Sequence, residues 1–294
     1  MGLQKNVKFL YIVVFALCLL GTNSLINRAK AHRKTLKVST VQERTVKPFS
    51  LVVIDPGHGG NKLGAQGRVS LEKDIALQVS IKLKERVEKE MPGVKVLLTR
   101  ESDIDVPFYE RTALANKNHA DLFISIHCNS ADSERRVKGK NGRYTTQLTR
   151  RPNVKGTETF VCGYNRMAQQ DVAIRENADI LLEENYKENY NGFDPNDPST
   201  YIVFSLMKRR YRDQSIKLAT MMQDEYVQSG RENRGVQELS LAVLATAGMP
   251  AVLTEIGFIS SPDEENFMLS SAGQEEIVNN LTTSIKRFKT SMER

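Results

Sequence analysis

Apolar and polar positions change period along the chain from about residue 50 onward, and these changes predict alternating strands and helices. Residues 50–55 form a β-branched, apolar run that indicates a buried strand, and a glycine-rich loop follows it. Residues 72–90 predict an amphipathic helix, because apolar side chains recur at every fourth position. These side chains are Ile75, Val79, Leu83 and Val87. The segment 91–93 contains a proline and a glycine, so we expect the helix to end there.

The same alternation continues toward the C-terminus. Further strands are predicted over 94–100, 120–130, 156–163 and 251–258. Further helices are predicted over 107–118, 235–250, 261–269 and 273–289. Alternation of this kind is typical of a three-layer α/β fold, in which helices cover both faces of a sheet.

Two stretches interrupt this pattern. Residues 132–155 are basic and polar and are interrupted by glycines, and we interpret them as a long surface loop. Residues 171–190 and 199–228 predict two helices on either side of the polar segment "NGFDPNDPS". A connection of this length is unusual within a compact sheet, so we interpret the region as an insertion with a role of its own.

The first 31 residues differ in composition from the rest. Two lysines precede an apolar run at 9–21, which is shorter than the roughly 20 residues that a membrane span needs. With "AKA" at 29–31, this pattern predicts a secretory signal peptide over 1–31, cleaved after Ala31 or at a nearer site, and a polar linker over 32–48. An uncleaved N-terminal anchor is the alternative. The signal peptide predicts an exported protein, periplasmic or in the cell envelope, with no stable membrane span in its mature form.

Charge and cysteine content narrow the functional classes. Residues 1–31 hold four of the 42 basic residues and none of the 35 acidic ones, so 38 basic and 35 acidic residues remain after cleavage. This mild excess is not arranged as a basic stripe interleaved with aromatic residues, which argues against nucleic-acid binding. Cys128 and Cys162 both fall on or beside predicted strands, and we expect two buried thiols, although export would permit a disulfide.

The four histidines are the first candidates for a functional site. His32 lies in the linker and His119 in a turn, and neither is expected to have a role. His58 and His127 each stand at the end of a predicted strand, at the sheet edge where open α/β folds bind ligands. Glu72 begins the helix after the glycine loop. Two histidines and a glutamate with a fourth position left open are typical of a catalytic zinc site.

Glu255 is the candidate general base, because it ends an apolar strand where a buried carboxylate without a function would be costly. Such a base takes the proton of a zinc-bound water and passes it to the leaving nitrogen. Two further residues lie near the predicted ligands. Asp55 either orients a ligand or satisfies backbone amides of the turn, and Asn129 is a second candidate for supporting a ligand. Taken singly, the predicted ligands could also be ordinary loop, core or helix-start residues.

The motifs "VVIDPGHGG", "LLTRESD", "SIHCNS" and "MPAVLTEIGFISSPDEE" occur in this order, with Glu72 at a helix start. Together they resemble the zinc-dependent N-acetylmuramoyl-L-alanine amidases of bacterial cell walls, amidase type 3. The resemblance implies a single α/β domain over 49–290, with a central, mostly parallel sheet flanked by helices and a helical insertion. It also implies that His58, Glu72 and His127 bind Zn²⁺ and that Glu255 is catalytic.

Residues 164–212 resemble the regulatory insertion of the cell-separation subclass of these amidases. In that subclass a helix covers the active site, a glutamate occupies the open position of the metal, and a partner protein pulls the helix away. The predicted helix 171–190 offers four glutamates, namely Glu176, Glu183, Glu184 and Glu188. Our hypothesis is that Glu183 or Glu184 blocks the zinc. A surface helix with solvated charges is the alternative.

The residues alone indicate metal-assisted amide hydrolysis, and the resemblance supplies the substrate. It implies a peptidoglycan hydrolase that cleaves the bond between N-acetylmuramic acid and L-alanine of the stem peptide. The alternatives are a zinc peptidase that acts on wall cross-bridges and a non-catalytic wall-binding or activator protein. An activator protein that displaces the inserted helix is the expected protein partner.

Overall fold

The computed structural model describes residues 48–138, 142–163, 171–183, 185–190, 197 and 211–293. The predicted signal peptide over 1–31 and all of the predicted linker except residue 48 lie outside this part of the chain. Among the described residues, no helix combines the length and the apolar character needed to cross a bilayer.

A six-stranded sheet forms the centre of the fold, with the strand order β2-β1-β3-β8-β6-β7. The strands are β1 (Leu51–Pro56), β2 (Lys95–Leu98), β3 (Leu122–Asn129), β4 (Ser133–Lys138), β5 (Tyr144–Thr149), β6 (Thr157–Cys162), β7 (Asn233–Leu239) and β8 (Ala251–Phe258). Neighbouring strands of this sheet are parallel except for β6 and β8, which are antiparallel. The expected central, mostly parallel sheet is therefore confirmed.

Helices connect and cover the strands. They are α1 (Glu72–Glu90), α2 (Phe108–Lys117), α3 (Asp171–Asn177), a 3₁₀ helix (Ala178–Leu182), α4 (Tyr186–Asn189), α5 (Arg212–Gln228), α6 (Ala242–Ala245), α7 (Pro262–Leu269) and α8 (Ser271–Met292). The bounds of α1 agree with the predicted helix, and its four predicted apolar positions are all buried.

Two hydrophobic cores lie on opposite faces of the sheet, because successive side chains of a strand point to opposite faces. Val52 and Ile54 of β1 belong to the core that α1, α5 and α8 cover. Val53, between them, belongs to the other core, which includes Phe108 of α2 and Ile180 of the 3₁₀ helix. Helices thus cover both faces, and the predicted three-layer α/β architecture is confirmed. Cys128 and Cys162 are buried and are not joined by a disulfide, as expected.

The predicted helix over 235–250 is wrong. Its first residues belong to β7, which pairs with β6 in parallel, and only the four residues of α6 are helical. Gly235 has a φ of 90°, in the left-handed region that an α-helix cannot continue through. The pairing with β6 instead satisfies the backbone hydrogen bonds of this segment.

The two interrupting stretches also differ from their predictions. The stretch 132–155 is not only a loop, since β4 and β5 pair antiparallel in it as a separate two-stranded sheet. The predicted helix 171–190 is broken into α3, the 3₁₀ helix and α4, with Asn185 in a left-handed conformation before α4. Of the predicted helix 199–228, α5 accounts for the part from Arg212, and residues 198–210 lie outside the described residues.

Candidate metal centre

Four buried side chains converge at the carboxyl ends of β1 and β3, and one potential ligand atom of each lies within 4.8 Å of the others. His58 follows β1, Glu72 begins α1, His127 lies on β3, and Glu176 lies in α3 of the insertion. His58 Nε2 is 3.2 Å from Glu72 Oε2 and 3.3 Å from Glu176 Oε2. His127 Nδ1 is 3.0 Å from Glu72 Oε1 and 3.0 Å from Glu176 Oε2. The structure thus brings the three predicted ligands together and adds Glu176.

The glycine loop after β1 holds His58 against the ring of His127. A Cβ atom on Gly57 would lie 2.6 Å from Cε1 of His127, so only glycine fits at this position without moving the ring. His58 itself has a φ of 57°, a conformation that needs support from its surroundings. Two buried arginines supply that support, because Arg100 donates to Gly57 O at 2.7 Å and Arg111 donates to His58 O at 2.8 Å.

Glu72 is held as an anion. The backbone N–H of Cys128 donates to Glu72 Oε1 at 2.9 Å, and that of Ala65 donates to Glu72 Oε2 at 2.7 Å. Burial alone would raise the pKa of Glu72, but the charge of His58 and a hydrogen bond with His127 lower it to about 2. A carboxylate fixed in this way is a ready ligand for a cation.

The acidic side chains of the cluster favour the positively charged forms of its two histidines. Burial disfavours the charged form of His58, yet the negative charge of Glu72 and a hydrogen bond to Asp179 outweigh burial and raise its pKa. Burial is likewise outweighed at His127, where Glu176 and Glu72 raise the pKa to about 9. Burial would raise the pKa of Glu176, but the charge of His127 lowers it.

Two buried atoms of this cluster have no hydrogen-bond partner among the described residues, namely His58 Nε2 and Glu176 Oε2. A divalent cation between them would satisfy both atoms. Imidazole nitrogens and carboxylate oxygens are among the ligands that Zn²⁺ takes in proteins. The donor set of the described residues therefore fits a zinc ion.

A chain of hydrogen bonds extends from His127 to the buried end of β1. His127 Nε2 lies 3.1 Å from the hydroxyl of Ser125, and this hydroxyl donates to Asp55 Oδ2 at 2.6 Å. Thr99 and Arg111 donate to the other oxygen of Asp55 at 2.5 and 2.9 Å. Asp55 therefore supports His127 through Ser125 and does not contact the ring directly. Contacts of this kind fix the orientation of a metal-binding histidine.

The second nitrogen of His58 faces the insertion. His58 Nδ1 lies 2.7 Å from Oδ2 of Asp179, a residue of the 3₁₀ helix. Sequence reasoning did not single out Asp179, because no local pattern connects residues 121 positions apart. Of the other histidines, His119 lies in the turn between α2 and β3, and His32 lies outside the described residues.

Glu255 lies on β8 beside His127 of β3 and Glu158 of β6 in the sheet register. Its side chain is fully buried, and neither carboxylate oxygen has a hydrogen-bond partner within the described part of the chain. Burial raises the pKa of Glu255, and the negative charges of Glu176 and Glu72 raise it further. A buried carboxyl group with a raised pKa is suited to general acid–base catalysis.

Arg175 of the insertion lies beside Glu255. Its Nη2 is 3.8 Å from Glu255 Oε1 and 2.9 Å from Glu176 Oε1. The guanidinium also donates to Asn129 Oδ1 at 2.9 Å and to Ser130 O at 2.8 Å. Asn129 therefore anchors the inserted segment through Arg175, and its predicted role in supporting a metal ligand stays a prediction.

The structure does not bring Glu183 to the metal cluster. Its carboxylate accepts hydrogen bonds from Lys62 Nζ at 2.6 Å and from the Tyr190 hydroxyl at 2.7 Å. Glu184, the other candidate, lies outside the described residues. Glu176, near the end of α3, is the glutamate of this segment that lies at the cluster, and the α-helix ends at Asn177 before the chain reaches residue 183.

Comparisons with known proteins agree with this architecture. A family model described as N-acetylmuramoyl-L-alanine amidase (Amidase_3) matches residues 52–287. The amidase AmiC of Escherichia coli O6:H1 is 28% identical over 243 residues, which cover 81% of this chain and 52% of that protein. The amidase AmiA of Salmonella typhimurium is 27% identical over 273 residues, covering 90% of this chain and 86% of the relative. This chain thus spans about half the length of the AmiC relative.

Solved structures show the same fold. An N-acetylmuramoyl-L-alanine amidase from Clostridium difficile 630 superposes with a TM-score of 0.58 at 24% identity, covering 83% of this chain and 99% of that one. The CwlD amidase from Clostridioides difficile, solved in complex with the GerS lipoprotein, superposes with a TM-score of 0.57 at 21% identity, covering 82% and 99%. Because the family model matches most of the chain, this protein belongs to the Amidase_3 family of N-acetylmuramoyl-L-alanine amidases.

Proposed function

We propose that this chain is a zinc-dependent peptidoglycan hydrolase that cleaves the amide bond between N-acetylmuramic acid and L-alanine of the stem peptide. The observation that carries the proposal is the buried cluster of His58, Glu72 and His127 next to the buried carboxyl group of Glu255. The family match and the amidases AmiC and AmiA among its relatives support the same reaction class.

The residues of the site have three separate roles in the proposed hydrolysis: they bind the metal, transfer the proton and orient a metal ligand. His58, Glu72 and His127 would hold the zinc ion, which when bound supplies Lewis acidity toward water and the scissile carbonyl. Glu255 takes the proton of the attacking water and delivers it to the leaving nitrogen. Ser125 and Asp55 keep the ring of His127 in one orientation during these transfers.

We also infer that the structure represents a resting state. Glu176 lies at the position that water and substrate would need, between the two imidazoles. Arg175, Asp179 and Glu183 hold the segment in place through contacts with Ser130, His58 and Lys62. An activator protein would have to break these contacts. The CwlD relative was solved with the GerS lipoprotein, so at least one structural neighbour of this chain binds a protein partner.

Product analysis of digested peptidoglycan tests the proposed reaction. The purified chain and its Glu176→Ala variant are incubated with zinc and purified cell walls, and the soluble products are identified by mass. An amidase releases complete stem peptides and leaves glycan strands with free lactyl carboxylates. Shortened peptides would instead indicate a zinc peptidase that acts on cross-bridges.

Glu255→Gln is the matched variant, because it keeps the shape of the side chain and removes its ability to accept a proton. We expect it to retain zinc and to lose activity by about 100-fold or more. If zinc binds but neither the unmodified chain nor Glu176→Ala releases peptides, the chain is a wall-binding protein and not a hydrolase.

A further inference from the structure

Two cavities meet at Arg175 of the inserted segment. The larger has a volume of about 960 Å³ and reaches from the residues after β3 to the end of β5 and to β7. The smaller, of about 210 Å³, opens on His58, Glu72 and Glu176. Arg175 lines both cavities. The cavity that opens on the metal cluster therefore adjoins the larger cavity at Arg175.

Hydrolysis of the proposed substrate produces two groups of opposite charge. Water adds across the amide, the C–N bond breaks, and the acyl carbon keeps the water oxygen as a carboxylate. The nitrogen of L-alanine gains a proton and leaves as an amine, which is an ammonium ion at neutral pH. A product complex thus has a carboxylate at the metal ligands and a cation at the general base.

Arg175 and Glu176 reproduce this arrangement of charges. The carboxylate of Glu176 lies 3.0 and 3.3 Å from the two imidazole rings, where the acyl product would lie. The guanidinium of Arg175 lies 3.8 Å from Glu255, where the amine product would lie. The amine side of the substrate therefore points in the direction of Arg175, which is toward the larger cavity.

We propose that the larger cavity is the subsite for the stem peptide, and that Arg150, Arg151 and Arg234 in its wall bind the free carboxylates of that peptide. This inference rests on the proposed function, because it takes the peptidoglycan amide as the substrate. Stem peptides carry a free carboxylate at each isoglutamyl linkage and at their C-terminus. Guanidinium groups bind carboxylates in a planar, two-pronged geometry that lysine cannot offer.

The charge of the cavity wall agrees with an anionic ligand. Four arginines line it against two carboxylates, those of Asp132 and Glu158. Arg150 donates to Asp132 at 2.8 Å, and Arg234 Nε lies 3.4 Å from Glu158 Oε1. The side chains of Arg150 and Arg234 are still 49% and 37% exposed, so each is held in place with donors left for a ligand.

The β4–β5 strand pair and the residues that follow it form part of the wall of the larger cavity. Arg150 and Arg151 directly follow β5, and Leu148 of β5 also lines the cavity. Arg234 comes from a different element, β7, and its guanidinium lies 4.9 Å from the ring centroid of Phe258. A peptide in the cavity would therefore meet cations from both elements.

The test compares the KM and kcat of arginine variants made in the Glu176→Ala background. The double variant Arg150→Gln with Arg151→Gln, and separately Arg234→Gln, are assayed on a muropeptide with free carboxylates and on its amidated counterpart. Arg135→Gln is the matched control, because Arg135 is an exposed arginine of the same strand pair outside the cavity wall. Calorimetric binding of the free stem peptide to the same variants gives a measurement that does not depend on catalysis.

We expect the cavity variants to raise KM for the free-acid substrate by about tenfold or more, as for the loss of one charge-assisted contact, with kcat within about twofold. The preference of the parent for the free acid over the amidated substrate should disappear. Equal KM values for all variants and both substrates would overturn the subsite. If no variant hydrolyses the amide, the proposed function fails, and equal calorimetric binding of free and amidated peptide then overturns the subsite independently.

Discussion

The imidazole of His58 and the carboxylate of Asp179 lie 2.7 Å apart, although 121 residues separate them in the chain. One partner is a predicted metal ligand on the glycine loop, and the other belongs to the inserted segment. The inserted segment therefore contacts the cluster at two points, through Glu176 beside both imidazoles and through Asp179 at the second nitrogen of His58. Movement of the segment would remove both contacts.

We predict that Asp179→Ala weakens zinc binding by about 10- to 100-fold, the usual cost of losing a hydrogen-bond partner of a metal-binding histidine. Competition with a chromogenic chelator measures the affinity directly. Glu188→Ala is the control, because Glu188 is an exposed acid of the same segment. Unchanged affinity in Asp179→Ala would show that His58 is oriented by its backbone alone.

We predict that Glu176→Ala increases the rate of peptide release from purified walls by about tenfold or more, because a carboxylate at the reacting position competes with substrate. Glu183→Ala should increase it less, since it removes only the contacts with Lys62 and Tyr190 that hold the segment. If Glu183→Ala activates the enzyme and Glu176→Ala does not, the segment inhibits through its position and not through a blocking carboxylate.

We predict that Gly57→Ala abolishes stoichiometric zinc binding, because the new Cβ would lie 2.6 Å from the ring of His127. Gly93→Ala is the matched control. Gly93, unlike Gly57, has a positive φ, of 91°, but open space surrounds its Cβ position, so the Gly93 variant should lose only about 1–2 kcal/mol of stability. Zinc content by atomic absorption and thermal melting distinguish the two effects.

We predict that Arg111→Leu lowers the free energy of unfolding by about 3–5 kcal/mol, because it leaves the buried carboxylate of Asp55 without its ion-pair partner. Arg287→Leu removes a partly exposed ion pair with Asp224 and Glu225 and should cost no more than about 1 kcal/mol. Urea unfolding of both variants measures the difference. Similar losses in the two variants would mean that Asp55 is sufficiently satisfied by Ser125 and Thr99.

We predict that removing the metal with a chelator lowers the melting temperature reversibly. A ligand that binds only the folded state stabilises it by about 4 kcal/mol when present at a thousand times its dissociation constant. Glu72→Gln should lose most of this response, since its carboxylate contacts both histidines. An identical melting temperature with and without zinc, in a protein shown to be loaded, would contradict the donor set.

The local sequence determined the helices and strands in which apolar side chains recur at a regular spacing. The apolar positions of α1 recur every fourth residue, and this pattern alone located the helix, its buried face and its end. The strand ends that carry His58, His127 and Glu255 were equally visible, because each follows or closes a buried apolar run. Over 235–250 the spacing of apolar residues was ambiguous. The first part of this segment pairs with β6 as a strand, so the prediction of a helix was wrong.

Only the tertiary structure decided how the insertion meets the site. The sequence showed an acidic segment in an overlong connection, but no pattern in it distinguished the blocking glutamate from the others. The chain leaves the α-helix at Asn177, before it reaches residue 183, and Glu176 contacts the histidines whereas Glu183 contacts Lys62. Periodicity gives the direction of a side chain only while the backbone remains regular, and contacts such as His58 with Asp179 join residues that have no common period.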